Sequence, residues 1–180
     1  MRYVHLGNTN LLVSPFCLGA MMFGGKTDRE QATEIVHQAL YAGINFVDTA
    51  DVYNGGRSEK IVGRALKGLR DKVVLASKAG MTVGEGANDT GLSRYHIVRA
   101  AEASLKRLRT DRIDLYYVHW PVACLNVEEM ARALEDLVRQ GKVLYPACSN
   151  FPAWLFCRTL WVQDVLGCAP LVAGQYPYNL

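Results

Sequence analysis

The chain has no CxxC pair, and its five cysteines, Cys17, Cys124, Cys148, Cys157 and Cys168, are scattered and odd in number. Disulfide frameworks and structural zinc sites use paired, regularly spaced cysteines, so neither is expected, and no other metal site is read from the sequence. Free cysteines usually pack as small hydrophobes, so most of these are expected to be buried. Long apolar runs are also missing: none approaches the roughly 18 residues that cross a bilayer. Lys and Arg never run to five or six together, and the formal net charge is +3. Neither nucleic acid nor a membrane surface is therefore expected as a partner. Met1-Arg2-Tyr3-Val4-His5 gives way to polar residues within a few positions and does not read as a secretory signal. A globular protein of the cytoplasm is the expectation, and a composition 50% hydrophobic and 21% charged fits it.

What is present is a repeating alternation. The opening reads as a hairpin, with Arg2 to Leu6 and Leu11 to Val13 flanking the turn-rich Gly7-Asn8-Thr9-Asn10. A short β-rich run followed by an amphipathic helix then recurs at intervals of roughly 30 residues. The strand runs are Phe16 to Ala20, Ile44 to Val47, Val73 to Ser77, Ile113 to Val118, Val143 to Cys148 and Leu171 to Gly174. Most are apolar without clean alternation, as suits parallel strands covered on both faces. Thr27 with Glu30, and Asn126 with Glu129, have capping-box spacing, and Ser58 and Ser93 are candidate N-caps. Ala32, Ile35, Val36, Ala39 and Leu40 form a helical stripe, as do Ile97, Ala101, Leu105 and Leu108. Gly43, Gly141 and Gly167 follow helices, where a left-handed residue ends them.

Alternating elements mean an α/β fold with a parallel sheet, either open and doubly wound or closed as a barrel. An open dinucleotide-binding sheet should show GxGxxG after its first strand. Here the sequence reads Gly19-Ala20-Met21-Met22-Phe23-Gly24-Gly25, which does not match, so the barrel is favoured.

Polar residues fall where the apolar runs stop. Asp48, Lys78 and His119 follow the second, third and fourth strands, Ser149 and Asn150 the fifth, and Gln175 the sixth. In a parallel barrel those C-terminal ends converge on one face, where active sites lie. Taken singly, each has a plainer reading: Asp48 as a turn cap, Lys78 as a solvated strand end, His119 as a packing histidine, the amides as loop ties. Their common placement on one predicted face makes them a candidate site.

Gly43-Ile44-Asn45-Phe46-Val47-Asp48-Thr49-Ala50-Asp51-Val52-Tyr53, continued by Gly55-Gly56-Arg57-Ser58-Glu59, resembles the signature of the aldo-keto reductase family around its catalytic Asp and Tyr. Ser77-Lys78 resembles the family's lysine segment, and Tyr117-Val118-His119-Trp120 its histidine segment. Gly141-Lys142-Val143 through Cys148-Ser149-Asn150-Phe151 is similar to a cofactor-binding strand of the family, and Gln175 to Leu180 to the stretch that follows it.

The resemblance implies a (β/α)8 barrel of TIM type and hydride transfer from NADPH to a small-molecule aldehyde or ketone. Tyr53 would be the general acid. Lys78 would lower the pKa of its phenol, Asp48 would hold the lysine charged, and His119 would orient the carbonyl. Ser149, Asn150 and Gln175 would grip the nicotinamide carboxamide, with Asp48 beside them, while Ala20 and Met21 line the cofactor pocket. Phe23, Trp120, Tyr53 and His119 would face the substrate.

Two features depart from the family pattern. Such barrels usually take about 250 residues, and this chain of 180 supplies six strand units of eight. It is therefore expected to be a single partial barrel domain over residues 1–180, with residues 1–15 as a hairpin capping the barrel bottom. The loops with which the family grips pyrophosphate and the adenosine 2′-phosphate follow later strands. Open barrel edges would favour self-association. The second departure is Pro146, inside the fifth strand, where a ladder donor is lost.

Three other functions compete. One is a regulatory nicotinamide-binding subunit on the same fold, without catalysis, as in the potassium-channel β subunits. Another is an inert fragment. The third is a phosphate-binding loop at Gly24-Gly25-Lys26-Thr27, but the motif needs glycine at position 20, which is Ala20.

Overall fold

In the computed structural model, which describes residues 1–179, eight strands and five α-helices follow one another in the expected order. The motif read over Gln175 to Leu180 thus has its last residue, Leu180, outside the described residues. Strands β1 (Val4–His5) and β2 (Leu12–Val13) pair antiparallel as the opening hairpin. The rest is a right-through succession: β3 (Leu18–Gly19), α1 (Arg29–Tyr41), β4 (Phe46–Asp48), α2 (Arg57–Ala65), β5 (Val74–Ala79), α3 (Arg94–Leu108), β6 (Ile113–Val118), α4 (Val127–Arg139), β7 (Val143–Ser149), α5 (Ala153–Leu166) and β8 (Gly174–Gln175).

The six strands from β3 to β8 form one sheet in chain order, each parallel to the next. Side chains alternate across it with period two. Val47, Leu75, Tyr116 and Cys148 point to a large core that also takes Ala32 and Val36 of α1, Val62 of α2, Ile97 and Ala101 of α3, Met130 and Leu134 of α4, and Leu155 of α5. Ala76, Leu115, Tyr117 and Ala147 point the other way, into a small cluster that receives Leu6, Phe46, Tyr145, Val172 and Ala173 but no helix. All five helices therefore cover one face. That is single winding, and it curls the sheet into an incomplete (β/α)8 barrel, not a doubly wound open sheet. Among the described residues the sheet does not close, and β3 and β8 are its edges.

The hairpin's contacts fall at the N-terminal ends of the strands. The Ser14 amide donates to Asn45 Oδ1 at 2.7 Å, and Asn45 Nδ2 donates to the Leu12 carbonyl at 3.0 Å. Leu6 packs on the small interior cluster. Among the described residues no helix is long and apolar enough to cross a membrane.

Several local expectations need correction. Helix α1 is capped by Asp28, whose side chain accepts from the Gln31 amide, not by Thr27. Thr27 is already tied into the preceding turn, its amide donating to Met22 and its carbonyl accepting from Gly24, so the helix starts one residue later. Ser58 lies inside the first turn of α2, with Gly56 at the cap; its buried hydroxyl donates to the Ala20 carbonyl at 2.7 Å. Ser93 and Asn126 do cap α3 and α4. Only Cys148 of the five cysteines is buried; Cys17, Cys124 and Cys157 are exposed. Helix α5 explains Cys157, because its outward face carries Trp154, Trp161 and Val165 while Thr159 and Gln163 lie inside. Gln163 is satisfied there, donating to the Ala169 carbonyl and accepting from the Leu171 amide, which holds the loop into β8.

Pro146 leaves β7 unbroken. Its carbonyl accepts from Val172, and the Cys148 amide donates to Ala173, both toward β8. A residue's N–H and C=O share one side of a strand, so the donor Pro146 lacks would also point toward β8. That ladder begins only at Cys148, and the long pairing with β6 loses nothing.

Candidate active site

The interior-facing rows end in the polar residues. Phe46 is followed two positions on by Asp48, Ala76 by Lys78, Tyr117 by His119 and Ala147 by Ser149, so period two puts all four on the side away from the helices. Tyr53 comes from the loop after β4. Asn54, Gly55 and Gly56 have φ of 51°, 63° and 78°, three left-handed residues in succession. Glycine adopts that conformation freely and asparagine is the most tolerant of the rest, so this turn can follow Tyr53 without steric penalty.

Lys78 is the centre. Its side chain is completely buried, and its ammonium donates to Asp48 Oδ1, to the Thr49 carbonyl at 3.0 Å and to the Tyr53 hydroxyl at 3.2 Å. The same nitrogen lies 4.9 Å from the centroid of the Tyr53 ring and 5.8 Å from that of Tyr117. The Tyr53 and His119 rings meet edge-on, with centroids 5.7 Å apart and planes at 82°. A buried ammonium needs a counter-charge and donors' partners, and this one has all three of its N–H groups engaged.

Burial raises the Asp48 carboxyl above its ordinary value, and the Lys78 ammonium offsets only part of that rise. His119 is held down to about 4, first by burial and then by repulsion from Lys78. It is therefore a neutral imidazole at neutral pH. Its Nδ1 is buried without a partner among the described residues.

Ser149, Asn150 and Gln175 form a second group one strand over. Ser149 Oγ donates to the Gln175 carbonyl at 3.1 Å, and Asn150 Nδ2 donates to Ser149 Oγ at 2.8 Å and to the His119 carbonyl at 3.2 Å. Asn150 holds this position at φ 60°. Ala20 is fully buried at the end of β3, its amide donating to the Asp48 carbonyl, and Met21 is exposed beside it. Trp120, next to His119, is 55% exposed, whereas Phe23 is buried within the core beneath the helices. The Gly24-Gly25-Lys26-Thr27 turn spends the amides of Gly24, Gly25 and Thr27 on the carbonyls of Thr27 and Met22. Those amides are not free to cradle a phosphate.

The structure also gathers residues to which the sequence reading assigned no role. Thr49 supplies a carbonyl to Lys78, and the buried Asp51, Glu59 and Ser77, with the partly exposed Arg107, form a polar layer on the helix side of the sheet. Asp51 and Glu59 stand inside the recognised motif, and that was the only sequence signal for them. Among the described residues no three His, Cys, Asp or Glu side chains are grouped as a metal site would require.

The sequence matches the profile of the Aldo/keto reductase family over residues 15–180, and the chain belongs to that family. It is 42% identical over its whole length to an uncharacterized oxidoreductase, YrpG, of Bacillus subtilis, covering 59% of that protein. It is 38% identical, again over its whole length, to a probable voltage-gated potassium channel subunit beta of Oryza sativa subsp. japonica, covering 56% of it. Over 94% of the chain it is 34% identical to an aryl-alcohol dehydrogenase [NADP(+)] of Phanerodontia chrysosporium, covering 49% of that enzyme. The chain thus spans about half the length of the curated relatives it matches.

Proposed function

We propose that the protein is an oxidoreductase that reduces an aldehyde or ketone with hydride from NADPH, with Tyr53 as the general acid. The observation that carries this reading is the contact of a completely buried ammonium with a half-buried phenol, Lys78 Nζ to Tyr53 Oη at 3.2 Å. As a carbonyl carbon accepts hydride, its π pair moves to oxygen and needs a proton. Tyr53 gives that proton, and the negative charge left on its oxygen meets the Lys78 ammonium directly. Asp48 keeps the ammonium in place. General acid catalysis of this kind supplies roughly 10²–10⁴-fold. A neutral His119 offers a hydrogen bond to the carbonyl oxygen without competing as a proton donor, which fits its low pKa.

The cofactor would supply the hydride. The donor set fits its nicotinamide carboxamide. Ser149, Asn150 and Gln175 offer a hydroxyl and two amides at adjacent strand ends, on the side where Asp48 and His119 sit. Ala20 and Met21 lie at the end of β3 next to Asp48, where they would border the same space. Trp120, exposed beside His119, would wall the substrate.

A second reading is favoured by the likeness to the potassium channel subunit beta: a regulatory protein that binds nicotinamide cofactor and does not turn over. One pair of measurements separates them. NADPH consumption with a panel of aldehydes and ketones is expected in the native protein and lost in Tyr53→Phe, while cofactor titration by fluorescence is expected to be the same in both. Binding without turnover would favour the regulatory role, and absence of both would overturn the reductase reading.

A further inference from the structure

On the helix side of the sheet, directly behind Lys78, lies an ion pair between a buried carboxylate and a partly exposed guanidinium that the chemistry above does not touch. Glu59 of α2 is completely buried. Its Oε1 accepts from Ser77 Oγ at 2.5 Å, and its Oε2 accepts from Arg107 Nε at 2.5 Å. Arg107, in the last turn of α3, also donates to Ser104 Oγ at 3.1 Å. Its aliphatic stem lies across Gly56 so closely that a Cβ there would come 2.8 Å from Arg107 Cδ.

These contacts reach both halves of the proton-donating pair from behind. Ser77 immediately precedes Lys78, so the Glu59 carboxylate fixes the strand at the residue before the ammonium. Gly56 ends the left-handed run that directly follows Tyr53, so the Arg107 stem bears on the turn that carries the phenol. A third link ties turn to strand, because the Asp51 amide donates to the Lys78 carbonyl at 3.1 Å. Taking a carboxylate out of water costs desolvation that offsets the attraction, so a pair with a buried member is in general a poor source of stability. Its two ends here touch the two backbones whose spacing the reaction depends on.

We infer that Glu59 and Arg107 are positioning residues that set the distance between the Tyr53 hydroxyl and the Lys78 ammonium. Its catalytic consequence rests on the acid role proposed for Tyr53; its geometric content does not. A pair that merely stapled α2 to α3 would change stability on removal and leave Tyr53 where it is.

The test uses the full chain labelled with ¹³C at tyrosine Cζ. Tyr53 is assigned among the nine tyrosines by the resonance that Tyr53→Phe removes. The Tyr53 resonance is expected to move in Arg107→Ala and in Ser77→Ala. It is expected to return close to its native position in Arg107→Lys, which keeps an aliphatic stem over Gly56 and a cation near Glu59. Where carbonyl reduction is measured, kcat should fall roughly tenfold to a hundredfold with KM little changed, the cost typical of a small misplacement. If Arg107→Ala does not fold, Ser77→Ala, which removes a single hydroxyl, decides the matter alone. A Tyr53 resonance unmoved in the folded variants overturns the inference, whatever the activity. A displaced resonance in a protein whose native form reduces no carbonyl supports the positioning and overturns the acid role instead.

Discussion

The Lys78 ammonium donates to the Tyr53 hydroxyl across 3.2 Å, from a side chain with no solvent exposure to one that is half open. A charge held on the dry side of a phenol interacts with it more strongly than the same charge would in water. The partner that compensates the lysine, Asp48, is itself 7% exposed, so the pair stands or falls together.

Lys78→Met should therefore do two kinds of damage. On the proposed mechanism it removes the group that would receive the developing phenolate, and it leaves Asp48 buried without its cation. Breaking one side of a buried pair costs roughly 3–5 kcal/mol, so a large fall in melting temperature is expected together with loss of turnover. Tyr53→Phe removes only a hydroxyl at the open end and should lose turnover with little change in melting. Thermal denaturation beside NADPH oxidation checks both; equal stability in the two variants would contradict the pairing.

Gly63 tests the packing that carries Glu59 and Arg107. In an open helix, Gly→Ala gains about 1 kcal/mol from propensity. A Cβ at Gly63 would instead lie 2.3 Å from the Leu108 carbonyl oxygen and 2.7 Å from the Leu108 Cα, both backbone atoms that cannot rotate away. Helices α2 and α3 would have to separate, and overpacking of this kind costs about 1–3 kcal/mol. The clash wins, so Gly63→Ala should lower the urea midpoint with an unchanged slope.

His119 gives stability a pH dependence. Its folded value of about 4 lies below the ordinary 6.5, so between those pH values the unfolded chain binds a proton that the folded one refuses. Stability must fall as pH drops from 6.5 toward 4, by on the order of 3 kcal/mol across the window. His119→Gln should flatten that part of the profile when unfolding free energy is measured at pH 7, 6 and 5. An equally steep profile in the variant would show that other groups produce it.

Asp51 acts in the opposite direction. Burial, with Glu59 nearby, raises its carboxyl from 3.8 to about 7, and among the described residues neither carboxyl oxygen has a side-chain partner. The folded state there binds more protons than the unfolded, so this contribution is lost as pH rises through about 4 to 7. Asp51→Asn should be more stable than the native protein at pH 8, and the difference should close toward pH 4. A difference of the same size at both ends of the range would rule out titration of Asp51 as its source.

Much of the scaffold is legible in the sequence alone. A six-strand α/β alternation, the caps at Ser93 and Asn126, and the failure of the glycine-rich loop all follow from period, spacing and turn chemistry, which are local properties. The caps at Thr27 and Ser58 were misplaced because both residues are recruited elsewhere, Thr27 by a turn and Ser58 by the Ala20 carbonyl. Tertiary contacts outbid local preference at those positions. Pro146 looked like a disruption only because a sequence does not say which side of a strand a missing donor faces.

The order of Asp48, Tyr53, Lys78 and His119 along the chain, and the period that turns three of them to one face, are written in the sequence. It also identifies the family, since the motifs are contiguous words. Sequence could not show that the lysine is sealed from water, that its nitrogen reaches the phenol, or that Arg107 lies over Gly56 from more than fifty residues away. Those facts depend on how α2, α3 and the sheet stack, and burial sets the electrostatic strength of every charge in the site. Distance and dielectric belong to the packed chain, and no window of sequence contains them.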